Sequence, residues 1–311
     1  MSNAATATAR KPQLDFRRKR ARPLERAIEG LLFAAAFVAV VITGLILWLL
    51  VSESLGFFRE AGLGRFLTET RWSPVFADPQ YGIAPLLSGT LLSTLVALCV
   101  AGPLGMVSAL YLSEFASPRA REIIKPVLEL LAGVPTVIFG YFALLFVTPL
   151  LKATLLPGLP SFNILAAGLV IGVMIIPYIA SLSEDAMRAV PGSLRDGSLA
   201  LGATRLETAL SVVAPAAISG IAGAFVLGVS RAVGETMVVA IAAGQVPNLT
   251  LDPTQPAATI TAYIAQVALG DLPHGSIGYQ SIYAAGLTLL VLTLAFNLLA
   301  FWMNRRFREA Y

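Results

Sequence analysis

Six long apolar stretches punctuate this chain, at residues 31–51, 86–112, 126–151, 164–182, 215–243 and 282–303. A helix rises about 1.5 Å per residue, so about 20 apolar residues cross the ~30 Å hydrocarbon core of a bilayer. Backbone amides find no water there, which restricts a spanning segment of this kind to a helix. The pattern predicts an all-α polytopic membrane protein with about six transmembrane helices. Glycine and proline interrupt several stretches: Gly102-Pro103 in the second, Gly133, Pro135 and Gly140 in the third, Pro177 in the fourth. Neighbouring helices re-satisfy the freed backbone groups at such points, and small residues permit close packing. The first stretch is read as a span and not a signal peptide. It is longer than a signal's apolar core, and no small-residue cleavage site follows it.

Composition supports the same class. The 311 residues are 57% hydrophobic and 13% charged, against about 25% charged in a soluble domain. The net charge of +4 is no nucleic-acid signal. The basic residues cluster beside apolar runs, where they mark topology and touch anionic membrane lipids. With six spans both ends lie on one side. If the N-terminus is cytoplasmic, the inner segments hold seventeen Lys and Arg: eight within residues 1–26, then Arg119, Arg121, Lys125, Arg188, Arg195, Arg205, Arg305, Arg306 and Arg308. The outer segments hold four, Arg59, Arg65, Arg71 and Lys152. The positive-inside rule therefore predicts cytoplasmic termini.

The expected organisation is a basic cytoplasmic tail (1–26), a first span with an outer loop (27–80), a core of five spans (81–304) and a cytoplasmic end (305–311). The outer segment 245–281 has no Lys or Arg, and residues 257–269 within it are expected to form a short helix at the membrane face or dipping into it. Ser117-Pro118 reads as a helix N-cap followed by proline at the first position. It is expected to start a cytoplasmic helix leading into the third span. Glu129 is expected near the interface, and Glu184, Asp185 and Arg188 on a solvated face. Tyr141, Phe142 and Phe146 are expected to pack against lipid or helices. A single cysteine, Cys99, and a single histidine, His274, exclude an intrachain disulfide and a histidine metal cluster, so no metal site is expected. The chain shows no Walker A, GxSxG or HExxH pattern, and hence no equipment for ATP hydrolysis or familiar covalent catalysis.

The loop between the fourth and fifth stretches, 184–214, is too ordered for a mere connector. Ser193-Leu194-Arg195-Asp196 reads as a capping box, with Ser193 the cap and Asp196 reaching back. Gly202 then ends a short helix. Thr204-Arg205-Leu206-Glu207 reads as a second capping box opening a helix toward Pro215. A helix, a turn and a helix on a membrane protein form a natural docking knob for a soluble partner. An amphipathic helix lying on lipid is the competing reading.

Arg231 and Glu235 lie inside the fifth apolar stretch, where each charge costs about 2.5–3.5 kcal/mol on the insertion scale. Four residues apart, they share one face of a continuous helix and are expected to pair. One reading is an ion pair that neutralises itself and locks packing. The other is a transport path, in which the planar guanidinium attracts an oxyanion through two hydrogen bonds and the carboxylate tempers the binding so that the anion leaves. Thr136 and Thr236 offer hydroxyls there, although bonding to their own helix backbone competes.

Several segments carry a resemblance. Asp196-Gly197-Ser198, Gly202, Val212 and Ala214-Pro215 follow the spacing of the EAA loop of ABC importer permeases, with Asp-Gly-Ser in place of Glu-Ala-Ala. Residues 81–105 (YGIAPLLSGTLLSTLVALCVAGPLG), 128–144 (LELLAGVPTVIFGYFAL) and 228–237 (GVSRAVGETM) resemble the PstC-type permease of the phosphate ABC importer. The resemblance covers about residues 81–301 and implies a type I importer (MetI-like) permease fold and localisation in the bacterial inner membrane. It implies that Ser193, Asp196, Gly197, Ser198, Gly202, Thr204 and Glu207 belong to a helix that couples to an ATPase. It places Arg231, Glu235 and Thr236 on the phosphate path. It also implies partners: a PstA-like second permease, two PstB-like ATPase subunits binding Mg-ATP, and a PstS-like periplasmic phosphate-binding protein. No cofactor is expected in this chain itself. Permeases for molybdate, sulfate or phosphonate stay open as alternatives, as do a self-contained secondary transporter or channel and a non-transporting scaffold.

Overall fold

The computed structural model describes residues 23–74, 76 and 78–306. Most of the basic tail, and Arg308 at the other end, lie outside these residues. The described chain falls into two units, residues up to Leu49 and residues from Leu50 onward. Helix α1 is Pro23–Ala61. In the first unit it is exposed at every residue from 25 to 49. Leu31, Phe33 and Trp48 are each more than 70% exposed. A helical segment apolar all round and exposed throughout calls for an apolar solvent.

The second unit is built around one helix. After α2 (Leu63–Thr68), helix α3 runs Ala84–Leu110 and continues through a π-turn, Tyr111–Phe115. Helix α4 is Pro118–Ala132. Helix α5 (Thr136–Phe142), a π-turn (Ala143–Val147) and α6 (Thr148–Thr154) form a single span. Helix α7, Ile164–Arg188, has two thirds of its most apolar window buried, more than any other span here. Its alanines, glycines and isoleucines face α3, and a Cβ added at Gly172 would lie 2.8 Å from both the Ala97 carbonyl oxygen and Val100 Cβ. Only glycine permits that backbone approach. A second cluster forms near the start of α3, where Phe57, Phe66, Trp72, Tyr81 and Tyr263 meet edge to face.

The remaining elements are α8 (Gly192–Ala200), α9 (Arg205–Thr208), a π-turn (Ala209–Val213), α10 (Ala214–Ala216), α11 (Ile218–Val233), α12 (Met237–Ala242), α13 (Ile260–Gln266), a π-turn (Val267–Asp271) and α14 (Ile277–Arg306). The described residues thus hold five helices long and apolar enough to cross a membrane. A sixth is counted if the pair Arg205–Ala216 and Ile218–Val233, bent by 75°, is one broken span. Their regular β pairing is limited to one bridge, Trp72 to Tyr81.

Two expected spans are redrawn. The third does not begin at residue 126. The Ser117 side chain accepts from the Ala120 amide, as the N-cap reading requires, but α4 then ends at Gly133 and the span starts at Thr136. Proline disfavours the helical conformation in the residue before it, so Val134-Pro135 separates the two helices. No residue of α4 is buried, and Glu129 is exposed. The fifth stretch is interrupted at Ala217 and again at Gly234–Thr236. Residues 257–269 do contain a short helix, α13, but it is embedded in the protein. Ile260, Thr261, Ala262 and Tyr263 are buried, and the Ile260 amide donates to Thr90 Oγ1 at 3.0 Å.

Candidate functional site

Arg231 occupies the last turn of α11, where a cation complements the partial negative charge of the helix end. Glu235 does not share its helix. Gly234 ends α11, so the four-residue spacing no longer places the two side chains on one face. The expected ion pair is not formed. The Glu235 carboxylate turns instead to the next helix and accepts from the Met237 and Val238 amides at 3.2 and 3.3 Å. It is 7% exposed. Its own carbonyl accepts from Thr261 Oγ1 at 2.6 Å, which ties the break to α13. The Thr236 hydroxyl donates to the Gly234 carbonyl at 3.3 Å, the local backbone bond that competes with any ligand role.

The guanidinium of Arg231 lies over the ring of Tyr178 on α7, 4.8 Å from its centroid. Such a contact stabilises a cation by about 0.5–2 kcal/mol while leaving its N–H edge free. Arg231 Nε is buried without a hydrogen-bond partner, and so is the neighbouring Ser230 hydroxyl. An unmet buried donor costs about 1–3 kcal/mol. The half-buried arginine therefore keeps a planar donor fork uncommitted in a broken apolar span. A carboxylate or tetrahedral oxyanion matches that fork.

The 184–214 loop folds as a helical hairpin. The second capping box is complete: Thr204 Oγ1 accepts from the Glu207 amide, and Glu207 Oε2 accepts from the Thr204 amide at 2.7 Å. The first is not. Pro191, with an extended ψ of 137°, already holds the N-cap position, so Ser193 falls inside the first turn of α8 and makes no cap bond. Ser193, Asp196 and Gly197 are exposed, and Ser198 shares a 2.9 Å hydrogen bond with Thr208 across the hairpin. Gly202 turns the chain at φ +89°, a left-handed value that suits glycine. Beside it Leu201 is 91% exposed. The hairpin thus carries an exposed apolar tip.

Sequence reasoning missed the groups that hold this end of the fold. Glu184 is not part of a solvated face. It is fully buried, bonded to Arg121 at 2.7 Å and Lys125 at 2.7 Å, both on α4, with Arg188 at 3.8 Å. Burial alone would lower the Lys125 pKa, but its bonds to Asp185 and Glu184 push it above the usual lysine value. A signal existed: Arg121 and Lys125 are four apart on one face of an amphipathic helix and call for a carboxylate. Arg195 also has a partner, Glu114, at 3.0 Å. Tyr178 carried no local signal at all.

These features define a class. The family of binding-protein-dependent transport system inner membrane components matches residues 101–309, more than half of the chain, and the chain belongs to that family. It is 37% identical over 241 residues to the probable ABC transporter permease protein YqgH of Bacillus subtilis, covering 78% of this chain and 77% of that one. It is 35% identical over 293 residues to the phosphate transport system permease protein PstC 1 of Mycobacterium tuberculosis, covering 82% and 86%. Its fold is shared with a chain of a bacterial ABC transporter involved in the import of the acidic polysaccharide alginate, at a TM-score of 0.63 and 18% identity, covering 93% of this chain and all of that one. It is also shared with a chain of the MetNI methionine ABC transporter, at a TM-score of 0.55 and 19% identity, covering 73% and 95%. The all-α fold is that of type I ABC importer permeases.

Proposed function

We propose that this chain is one of the two permease subunits of an ATP-driven importer of inorganic phosphate. It forms half of the path and couples it to hydrolysis carried out elsewhere. Phosphate-permease relatives at 35% identity support the substrate. The observation that carries the reading is Arg231, an arginine with an unpartnered buried Nε at the break of an apolar span. A discontinuous span is tolerated where it lines a polar path, and such breaks are where transporters place substrate sites. A guanidinium committed to a carboxylate would be a poor phosphate ligand; this one lies over a tyrosine face.

The termini and the hairpin lie on the cytoplasmic side. A PstA-like permease completes the path, two PstB-like subunits bind Mg-ATP and receive the hairpins, and a PstS-like periplasmic protein delivers phosphate to the opposite face. The Leu201 tip suits a groove on a soluble subunit. Force entering there reaches a cluster of Ala109, Met187, Val213, Ala217 and Ile221. From Ala217 and Ile221 it passes along α11, a rod of 16 residues or about 24 Å, that carries Arg231 in its last turn. Movement of the hairpin thereby shifts the substrate arginine, which is the requirement of alternating access.

The test is the complete transporter in proteoliposomes with phosphate-loaded binding protein outside and ATP inside. Phosphate uptake that requires ATP, resists sulfate and molybdate, and is lost in Arg231→Gln is expected. Preferred uptake of another oxyanion, or undiminished uptake in both Arg231→Gln and Glu235→Gln, would sink it.

A further inference from the structure

Helix α8 buries none of its residues, yet a docking element must hand force to the spans. One side chain makes the polar connection to the ends of α3 and α7. Arg195 Nε donates to the two Glu114 carboxylate oxygens at 3.3 and 3.2 Å, and Nη2 donates to Oε1 at 3.0 Å. Glu114 stands in the π-turn that ends α3. The same guanidinium reaches the end of α7: Nη1 donates to the Val190 carbonyl at 2.6 Å and Nη2 to the Met187 carbonyl at 2.8 Å. The Arg195 and Glu114 side chains are 21% and 11% exposed, so the pair is shielded from solvent. Glu114 is itself held, accepting from Ser113 Oγ at 2.8 Å. Beneath the arginine, Leu194 packs on the cluster that contains Ala217 and Ile221 at the foot of α11.

The geometry points to Arg195 as a positioning residue for coupled transport: it makes α8, the end of α3 and the end of α7 move as one body when the hairpin is pushed. This rests on the reading of the hairpin as the ATPase docking element. Without the guanidinium, a push on α8 bends the chain around 189–192, and hydrolysis proceeds with the ends of α3 and α7 left behind. The role needs a planar fork that spans three acceptors on two elements. Lysine brings one ammonium on a flexible stem and cannot span them together.

The experiment compares ATP hydrolysed per phosphate imported by the complete transporter in proteoliposomes, for wild type, Arg195→Ala, Arg195→Lys and Glu114→Gln. Each is normalised to assembled complex. The expected result is a ratio raised about fivefold or more in Arg195→Ala, little relieved by lysine, and raised less in Glu114→Gln, which keeps one acceptor oxygen; about fivefold is the low end of measured coupling between sites. An unaltered ratio in an assembled Arg195→Ala complex overturns the proposal, as does a proportional fall of uptake and hydrolysis, the mark of a merely structural defect. If Arg195→Ala does not assemble, Glu114→Gln decides: a raised ratio supports the strut and an unchanged one overturns it. Wild-type uptake that ignores ATP would instead overturn the functional reading itself.

Discussion

At the end of the protein that carries the basic loops, charges answer one another: Glu184 holds Arg121 and Lys125, and Glu114 holds Arg195. In the broken span Arg231 and Glu235 are four residues apart and do not meet. One region spends its charges on geometry. The other leaves a guanidinium without a carboxylate partner and gives the carboxylate a capping duty. Cations paired with a carboxylate fix helix positions and have their charge already answered, even where single atoms such as Arg121 Nε and Glu184 Oε1 keep no hydrogen bond. A cation held over a ring, with its N–H edge free, fixes little and can bind.

Variants can break or sharpen that contrast. The largest effect is expected for Glu184→Ala, which takes from Arg121 its buried carboxylate and leaves Lys125 only Asp185. Breaking a buried ion pair costs about 3–5 kcal/mol, and the thermal midpoint of the purified subunit should fall sharply; an unmoved midpoint would make the clamp dispensable. Arg231→Gln should do the reverse, leaving the midpoint in place while uptake drops about tenfold or more, equivalent to ~1.4 kcal/mol. If it destabilises as Glu184→Ala does, the two regions are not different in kind. Gly202→Ala forces a Cβ into the left-handed region at a cost of about 1–2 kcal/mol. The hairpin should then bind the ATPase several-fold less tightly in a titration with the rest of the complex intact. Thr204→Ala removes a cap worth about 1 kcal/mol, which should speed hydrogen exchange at residues 205–208 alone.

The smallest effect concerns pH. The clamp holds Lys125 above the ordinary value of 10.5. Its contribution is therefore complete below that value and lost as pH rises through the higher folded-state pKa. Thermal midpoints should decline at strongly alkaline pH, and less steeply in Asp185→Asn. An identical decline in that variant would count against the clamp.

The spans were legible because length and apolarity are local properties. The hairpin was legible for the same reason: Thr204, Glu207 and Gly202 act within a few residues of one another. Ser193 misled because Pro191, two positions earlier, had already taken the cap. The Arg231–Glu235 pair misled because the spacing argument assumed an unbroken helix, and Gly234 ends it. Glu184 was out of reach for a different reason. Its partner Lys125 lies 59 residues away, and nothing within a turn of Glu184 announces that separation.

That same interval has a consequence during synthesis. Helix α4 leaves the ribosome with Arg121 and Lys125 before Glu184, the carboxylate that pairs with them, exists. At about 5–20 residues per second, some 3–12 seconds pass before Glu184 arrives. Through that time Arg121 and Lys125 have no Glu184 to pair with, and their charge opposes translocation of α4 while the next span threads in. The ion pair that later anchors it is therefore also a timer: first a retention signal, and only afterwards a joint.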